Sequence, residues 1–183
     1  MKRYLKDYVF LFSIAGVILL LDQFTKYLVR SNLAFSEIWA PWDWLLPYAR
    51  IVHWNNTGAA FGIFQQFGVI FTILPIIVAG AIIYFFPKVP SSDWLIRLAL
   101  ALQLGGAMGN LTDRLMRGTV TDFLSVGNFA VFNVADASIF IGVLLLIYAM
   151  WQKERQERDA QTDEIEEPEA SSDGGITTHS TED

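Results

Sequence analysis

Two aspartates carry the most chemical promise in this chain. Asp122 is set in Val120-Thr121-Asp122-Phe123, and Asp136 in Phe132-Asn133-Val134-Ala135-Asp136. Two carboxylates close together share one proton, because like charges at short range cannot both ionise cheaply, and such a pair can hold and activate a water. The composition leaves few competitors. There is no cysteine and there are only two histidines, His53 and His179. That excludes thiol nucleophiles, thiolate metal sites and disulfides, and leaves histidine zinc sites and Ser-His-Asp triads poorly supplied. A carboxylate pair needs no Lewis acid, so no metal or cofactor is expected. A structural alternative stands beside each aspartate. Asn133 and Asp136 have the spacing of an N-cap and N3 pair at a helix start, and Asp122 reads equally as an ordinary loop carboxylate.

Further polar residues sit in or beside apolar runs, where a charge at mid-bilayer costs about 2.5–3.5 kcal/mol. Asp22 and Lys26 lie four apart, one helical turn, and can form an ion pair. That pair either neutralises itself near the membrane surface or serves a site. Gly105-Gly106-Ala107-Met108-Gly109-Asn110-Leu111-Thr112-Asp113-Arg114 combines a small-xxx-small face, Gly105 and Gly109, with a crowd of polar groups just after it. Asn56-Thr57-Gly58-Ala59-Ala60-Phe61 is either a turn or part of a site.

The elements that must position these residues follow from hydropathy. The chain is 53% hydrophobic and 17% charged, where soluble domains carry about 25% charged residues. Four runs, at about residues 8–29, 69–86, 94–113 and 134–151, are long enough for a hydrocarbon core that takes about 20 helical residues. They lack the period of two that a strand reading needs. An all-α membrane protein of four transmembrane helices is expected over residues 1–152, with a small extracytoplasmic β/loop subdomain. Its outer loops are 30–68 and 114–133. The first loop is rich in aromatics, and Ala49-Arg50-Ile51-Val52-His53-Trp54 could pair as a strand; Gly118 and Gly127 mark turns in the second. Residues 153–183 hold much of the acid and no aromatics, which predicts a disordered cytoplasmic tail. The net charge of −6 therefore describes the tail rather than the body.

Orientation comes from the bases. Lys2, Arg3, Lys6, Lys88, Arg97, Lys153, Arg155 and Arg158 fall on one side, and Arg30, Arg50, Arg114 and Arg117 on the other. The positive-inside rule puts both termini in the cytoplasm. No small-x-small site follows the first apolar run, where Leu20-Leu21-Asp22-Gln23-Phe24 stands, so that run is expected to stay uncleaved. In this topology Asp22, Lys26, Asn56, Asn110, Asp113, Arg114, Asp122, Asn133 and Asp136 gather at the outer face.

At these residues the chain resembles bacterial lipoprotein signal peptidase, signal peptidase II, over about residues 8–152. The match runs through five motifs in the family's order: residues 22–26, 56–61, 105–114, 120–123 and 132–136. The resemblance implies an aspartic endopeptidase of the bacterial inner membrane with Asp122 and Asp136 as its catalytic dyad. It implies that Asn56, Asn110, Arg114 and Asn133 line or brace the site, with Asp22 and Lys26 supporting it. The implied substrate is a diacylglyceryl-modified prolipoprotein, cut on the amino side of its lipidated cysteine. Inhibition by globomycin-type cyclic peptides is implied as well. The expected partners are that substrate and membrane lipid, not nucleic acid, with the chain a monomer. The resemblance assigns nothing to the acidic tail.

Two other classes compete. A proton relay or small transporter would use charges within spans, but here the polar groups cluster at one face and the second and fourth runs offer no polar stripe. An assembly subunit built on Gly105 and Gly109 leaves Asp122, Asp136 and the asparagines unexplained.

Overall fold

The first helix, α1, runs Lys2–Asn32, longer at both ends than its apolar stretch because Lys, Arg, Gln and Tyr at its margins all tolerate helix. The computed structural model describes residues 2–57 and 68–170. After α1 come β1 (Ile38–Trp39), a short 3-10 turn at Asp43–Leu45, and β2 (Ala49–Asn56). Next are α2 (Gly68–Phe85), interrupted by Pro75 and followed by a 3-10 turn at Phe86–Lys88, and α3 (Trp94–Arg117). The chain then forms β3 (Val120–Val126) and α4 (Val134–Ala170). Gly118 ends α3 in the left-handed conformation, φ 77°, and its N–H bonds the Arg114 carbonyl, a turn that a side chain would strain.

The strands make one antiparallel sheet in the order β1-β2-β3. The strand expected around residues 49–54 is β2, and its central place requires a partner that hydropathy did not reveal. That partner, β3, replaces what reads as a compact loop. Its first four residues are all buried, so the alternation that marks a half-exposed strand is missing. The register sets Trp54 opposite Asp122 and Asn56 opposite Val120, with an irregularity between Ile51 and Trp54.

Leu11 and Ala15 of α1 pack with Ala79 and Ile82 of α2, Phe86, and Ala101 and Leu104 of α3. Outward faces of α1, α2 and α4 expose large apolar side chains such as Leu20, Ile77 and Leu144, far more than a water-facing surface presents. Among the described residues, three helical stretches are long and apolar enough to cross a membrane: Tyr4–Asn32, Val69–Lys88 and Val134–Asp159. α3, expected as the third of four spans, is not among them. Its 24 residues suffice in length, but Arg97, Gln103, Asn110, Asp113 and Arg114 dilute its hydropathy. It is the helix whose polar groups are covered by neighbours: Arg97, Asn110 and Asp113 are all buried.

The chain divides into two units between Leu146 and Ile147. In the second, residues 153–170 are helical where the sequence predicts a disordered tail over 153–183, and residues 171–183 lie outside the described residues. The physical reason is local. Glu, Gln, Lys, Arg and Ala are good helix formers, a helix already nucleated extends cheaply, and Arg158 pairs with Glu154 one turn away at 2.6 Å.

Candidate active site

Three glycines of α3 let its neighbours approach closely. A Cβ at Gly105 would lie 2.7 Å from the Ile18 Cβ, and one at Gly109 would lie 2.6 Å from Asp22 Oδ2. On Gly106 it would strike the Ala135 carbonyl and lie 2.5 Å from Ser138 Oγ. The small face of α3 thus receives α1 on one side and the start of α4 on the other, as small-residue packing allows.

That approach buries an ion-pair network. Lys26, with 0% exposure, places its Nζ 2.8 Å from Asp22 Oδ2, 3.2 Å from Asp113 Oδ2 and 3.1 Å from Asn110 Oδ1. Three acceptors for three N–H donors leave the ammonium satisfied. The two aspartates reach onward. Asp22 Oδ1 accepts from the Ala135 N–H at 3.0 Å, and Asp113 Oδ2 from the Thr121 N–H at 3.1 Å. Arg30 supplies a second cation, 3.6 Å from Asp113 Oδ1, and donates to Thr121 Oγ1 at 3.1 Å. Gln23 ties α1 to the Gly109 carbonyl at 3.1 Å. One lysine and its carboxylates therefore fix α1, α3, the start of α4 and β3 together. Asp22 and Lys26 do pair with each other, as their spacing allows, and both are buried and linked onward to the strand and to α4.

On this base sit Asp122 and Asp136, joined by asparagines. Asn133 donates from Nδ2 to Asp122 Oδ1 at 2.6 Å and to Asn110 Oδ1 at 3.1 Å. Asn110 donates to Asp136 Oδ1 at 2.7 Å, and Asn56 to Asp122 Oδ2 at 2.9 Å. Asn133 is also the helix cap: its Oδ1 accepts from the Asp136 N–H at 2.9 Å while its own N–H reaches Asp136 Oδ2 at 3.3 Å. This reciprocal pair is a capping box in which aspartate takes the place of glutamate. Capping and membership in the site are therefore one arrangement, since the cap presents Asp136 beside Asn110.

The two carboxylates differ in surroundings. Asp122, in the strand, is 1% exposed; burial, and next the charge of Asp136, push its carboxyl up to about 6. Asp136 is half-buried and borders a cavity of about 580 Å³ whose other walls include Val126, Phe129, Phe132 and Phe140. An apolar chamber with one carboxylate at its edge and a second behind it, the two joined through asparagines, suits acid–base work on an apolar ligand.

A sequence model of the Signal peptidase (SPase) II family matches residues 14–152. The chain belongs to that family. It is 41% identical over 151 residues to a lipoprotein signal peptidase from Syntrophus aciditrophicus, covering 78% of this chain and 92% of the relative. The lipoprotein signal peptidase of Bacillus pumilus is 36% identical, with 84% and 99% covered. A bacterial membrane enzyme solved by the in meso method at 2.3 Å resolution superposes with a TM-score of 0.72 at 32% identity. That alignment covers 79% of this chain and 88% of the solved one. The chain is thus a signal peptidase hydrolase of the membrane.

Seven of the eight site residues singled out in the sequence of this signal peptidase II relative fall into one hydrogen-bonded set: Asp22, Lys26, Asn56, Asn110, Asp122, Asn133 and Asp136. Arg114 stands apart. It lies one turn beyond Asn110 and faces, with it, a second cavity of about 240 Å³, its guanidinium 5.9 Å from the centre of the Phe71 ring. Residues 58–61 lie outside the described residues. Asp113 was visible in the crowding after Gly109 but not as a partner of Lys26. The bonds of Thr121, Arg30 and Gln23 carry no signal in the sequence, because their partners on β3 and α3 are set by tertiary contact alone. His53 has a structural place, its Nδ1 2.9 Å from the Leu33 carbonyl.

Proposed function

We propose that this chain is the aspartic endopeptidase that removes signal peptides from diacylglyceryl-modified prolipoproteins, cutting on the amino side of the lipidated cysteine. The observation that carries the reading is the joining of Asp122 and Asp136 through Asn133 and Asn110 at the edge of an apolar chamber. The ionised member of the dyad takes a proton from water, which attacks the scissile carbonyl. The protonated member hydrogen-bonds the developing oxyanion and then protonates the departing amine. With Asp122 shifted to about 6, the pair retains a proton where ordinary carboxyls have lost theirs, and it titrates as a unit. Asn56, Asn110 and Asn133 aim the carboxylates, the Asp22–Lys26–Asp113 cluster fixes the elements that carry them, and Arg114 meets the substrate at the second cavity.

The membrane arrangement supports this chemistry. α3 crosses as the fourth span, its polar groups shielded by its neighbours, and residues 1–152 form the peptidase. The Lys and Arg distribution favours cytoplasmic termini and a site at the outer hydrocarbon boundary of the bacterial inner membrane. A signal helix and two acyl chains enter laterally from lipid. Trp39, Trp42, Trp44 and Trp54, all exposed, are placed in the outer loop and strands to cover the scissile bond and limit stray water. The enzyme acts as a monomer, and globomycin-type cyclic peptides occupy the site in place of substrate. Gel-shift cleavage of lipidated and unlipidated forms of one prolipoprotein by purified protein tests the reading. Cleavage of the lipidated form alone is expected; equal cleavage of both, or of neither, overturns it.

A further inference from the structure

One buried donor on α3 is unused among the described residues. Gln103 Nε2 is buried and has no hydrogen-bond partner among them. The side chain lies against α4, where a Cβ on Gly142 would come 2.8 Å from its Cγ. It also lines the 240 Å³ cavity between α2, α3 and α4. Gln103, Ala107, Asn110 and Arg114 share that wall, at spacings that keep them on one face of α3. Asn110 is the residue that holds Asp136 at 2.7 Å, so the cavity adjoins the dyad. Across it stand Phe71 and Pro75 of α2. Proline has no N–H, so the Phe71 carbonyl loses its usual helical donor. A donor without a partner among the described residues and a helix turn that lacks one backbone bond thus border the same small space, and a carbonyl of a peptide backbone would supply what Gln103 lacks.

We propose that Gln103 binds the substrate's signal segment, its Nε2 donating to a backbone carbonyl in the last turn of the signal helix within the cavity between α2, α3 and α4. The inference rests on the proposed function. A signal segment in hydrocarbon is helical, yet the bond to be cut must lie beyond the helix, in extended chain. The last carbonyls of that helix then have no donors of their own, and lipid supplies none. Gln103 is seven residues before Asn110, about 10 Å along α3. Extended chain covers that distance in about three residues at 3.3 Å each. Gln103 therefore fixes where the signal helix stops, and about three residues later the chain reaches the dyad. It is a positioning residue.

Gln103→Met keeps the unbranched shape that fits against Gly142 and removes the donor; Gln103→Glu keeps the shape but turns lone pairs toward the substrate carbonyl. Both are compared with the full-length wild type in nanodiscs, on a lipidated prolipoprotein. KM should rise about tenfold for Gln103→Met and further for Gln103→Glu, with kcat within about threefold of wild type. The melting temperature of Gln103→Met should hold or rise, because a buried amide without a partner is being replaced by an apolar group. A purely structural glutamine predicts the reverse, lower melting temperature with KM unchanged, and that result overturns the inference. Wild-type cleavage with KM within twofold in both variants overturns this inference alone. A wild type that leaves the lipidated substrate uncut overturns the underlying reading with it.

Discussion

At the dyad, each carboxylate is gripped by an amide that cannot give up its place without disturbing a second partner. Asn133 bonds Asp122 and Asn110 at once, and Asn110 bonds Asp136 and Lys26. Asp122→Asn and Asp136→Asn keep the size of the side chain but cannot relay a proton. Each should lower cleavage by roughly 10²–10⁴-fold in an assay on lipidated prolipoprotein, with substrate binding largely kept. A variant within a few-fold of wild type would remove the two-aspartate mechanism. The dyad also predicts a pH effect. Asp122 is raised to about 6 first by burial and then by Asp136. Its contribution to stability is complete below about pH 4, its ordinary range, and is lost as pH rises through about 6, by at most about 3 kcal/mol. Thermal unfolding from pH 4.5 to 7.5 should register that loss. Asp136→Asn should flatten it in part, and carboxyl infrared titration should show Asp122 moving down but not back to its ordinary value, because burial remains.

At the scale of elements, the fold depends on how closely α1, α3 and α4 approach. Gly109→Ala sets a methyl 2.6 Å from Asp22 Oδ2, in a network that has no slack, and should cost about 1–3 kcal/mol of stability along with activity. Gly80→Ala is its control: nothing lies within 4 Å of a Cβ there, and alanine should add about 0.5–1 kcal/mol to the helix. Chemical denaturation or melting of both variants decides the comparison; equal losses would mean that the glycine face is not what seats the helices. The same contrast explains what could be read from the chain. Asp122, Asp136, Asp22 and Lys26 announce themselves as polar residues in apolar company, and Asn133 with Asp136 has the spacing of a cap. Gly105 and Gly109 signal close packing. By contrast β3 is buried on both faces and loses its period, while the polar residues of α3 find their partners on other elements, where spacing along the chain cannot show them. The helix through residues 153–170 is not legible in the sequence, because low apolar content argues against a packed core but not against a helix carried on from one already formed.

At the scale of the molecule, the charge is divided as sharply as the hydropathy. Residues 152–183 carry most of the acid, including Glu164, Glu166, Glu167 and Glu169, while the family match ends at residue 152. Every residue from 151 to 159 is exposed, so no side chain of that stretch contributes to a core. In the proposed orientation this end lies in the cytoplasm and the two aspartates lie at the outer face, across a hydrocarbon core of about 30 Å. Truncation after Arg158 retains Lys153, Arg155 and the Arg158–Glu154 pair, and with them the anchor of the last helix at the membrane surface. Catalytic efficiency on purified substrate should then match that of the full chain in the same nanodisc. A fall of more than tenfold, about 1.4 kcal/mol of transition-state stabilisation, would place the acidic helix within reach of the site or of the elements that hold it. Such a result would overturn either the proposed orientation or the proposal that the tail is dispensable.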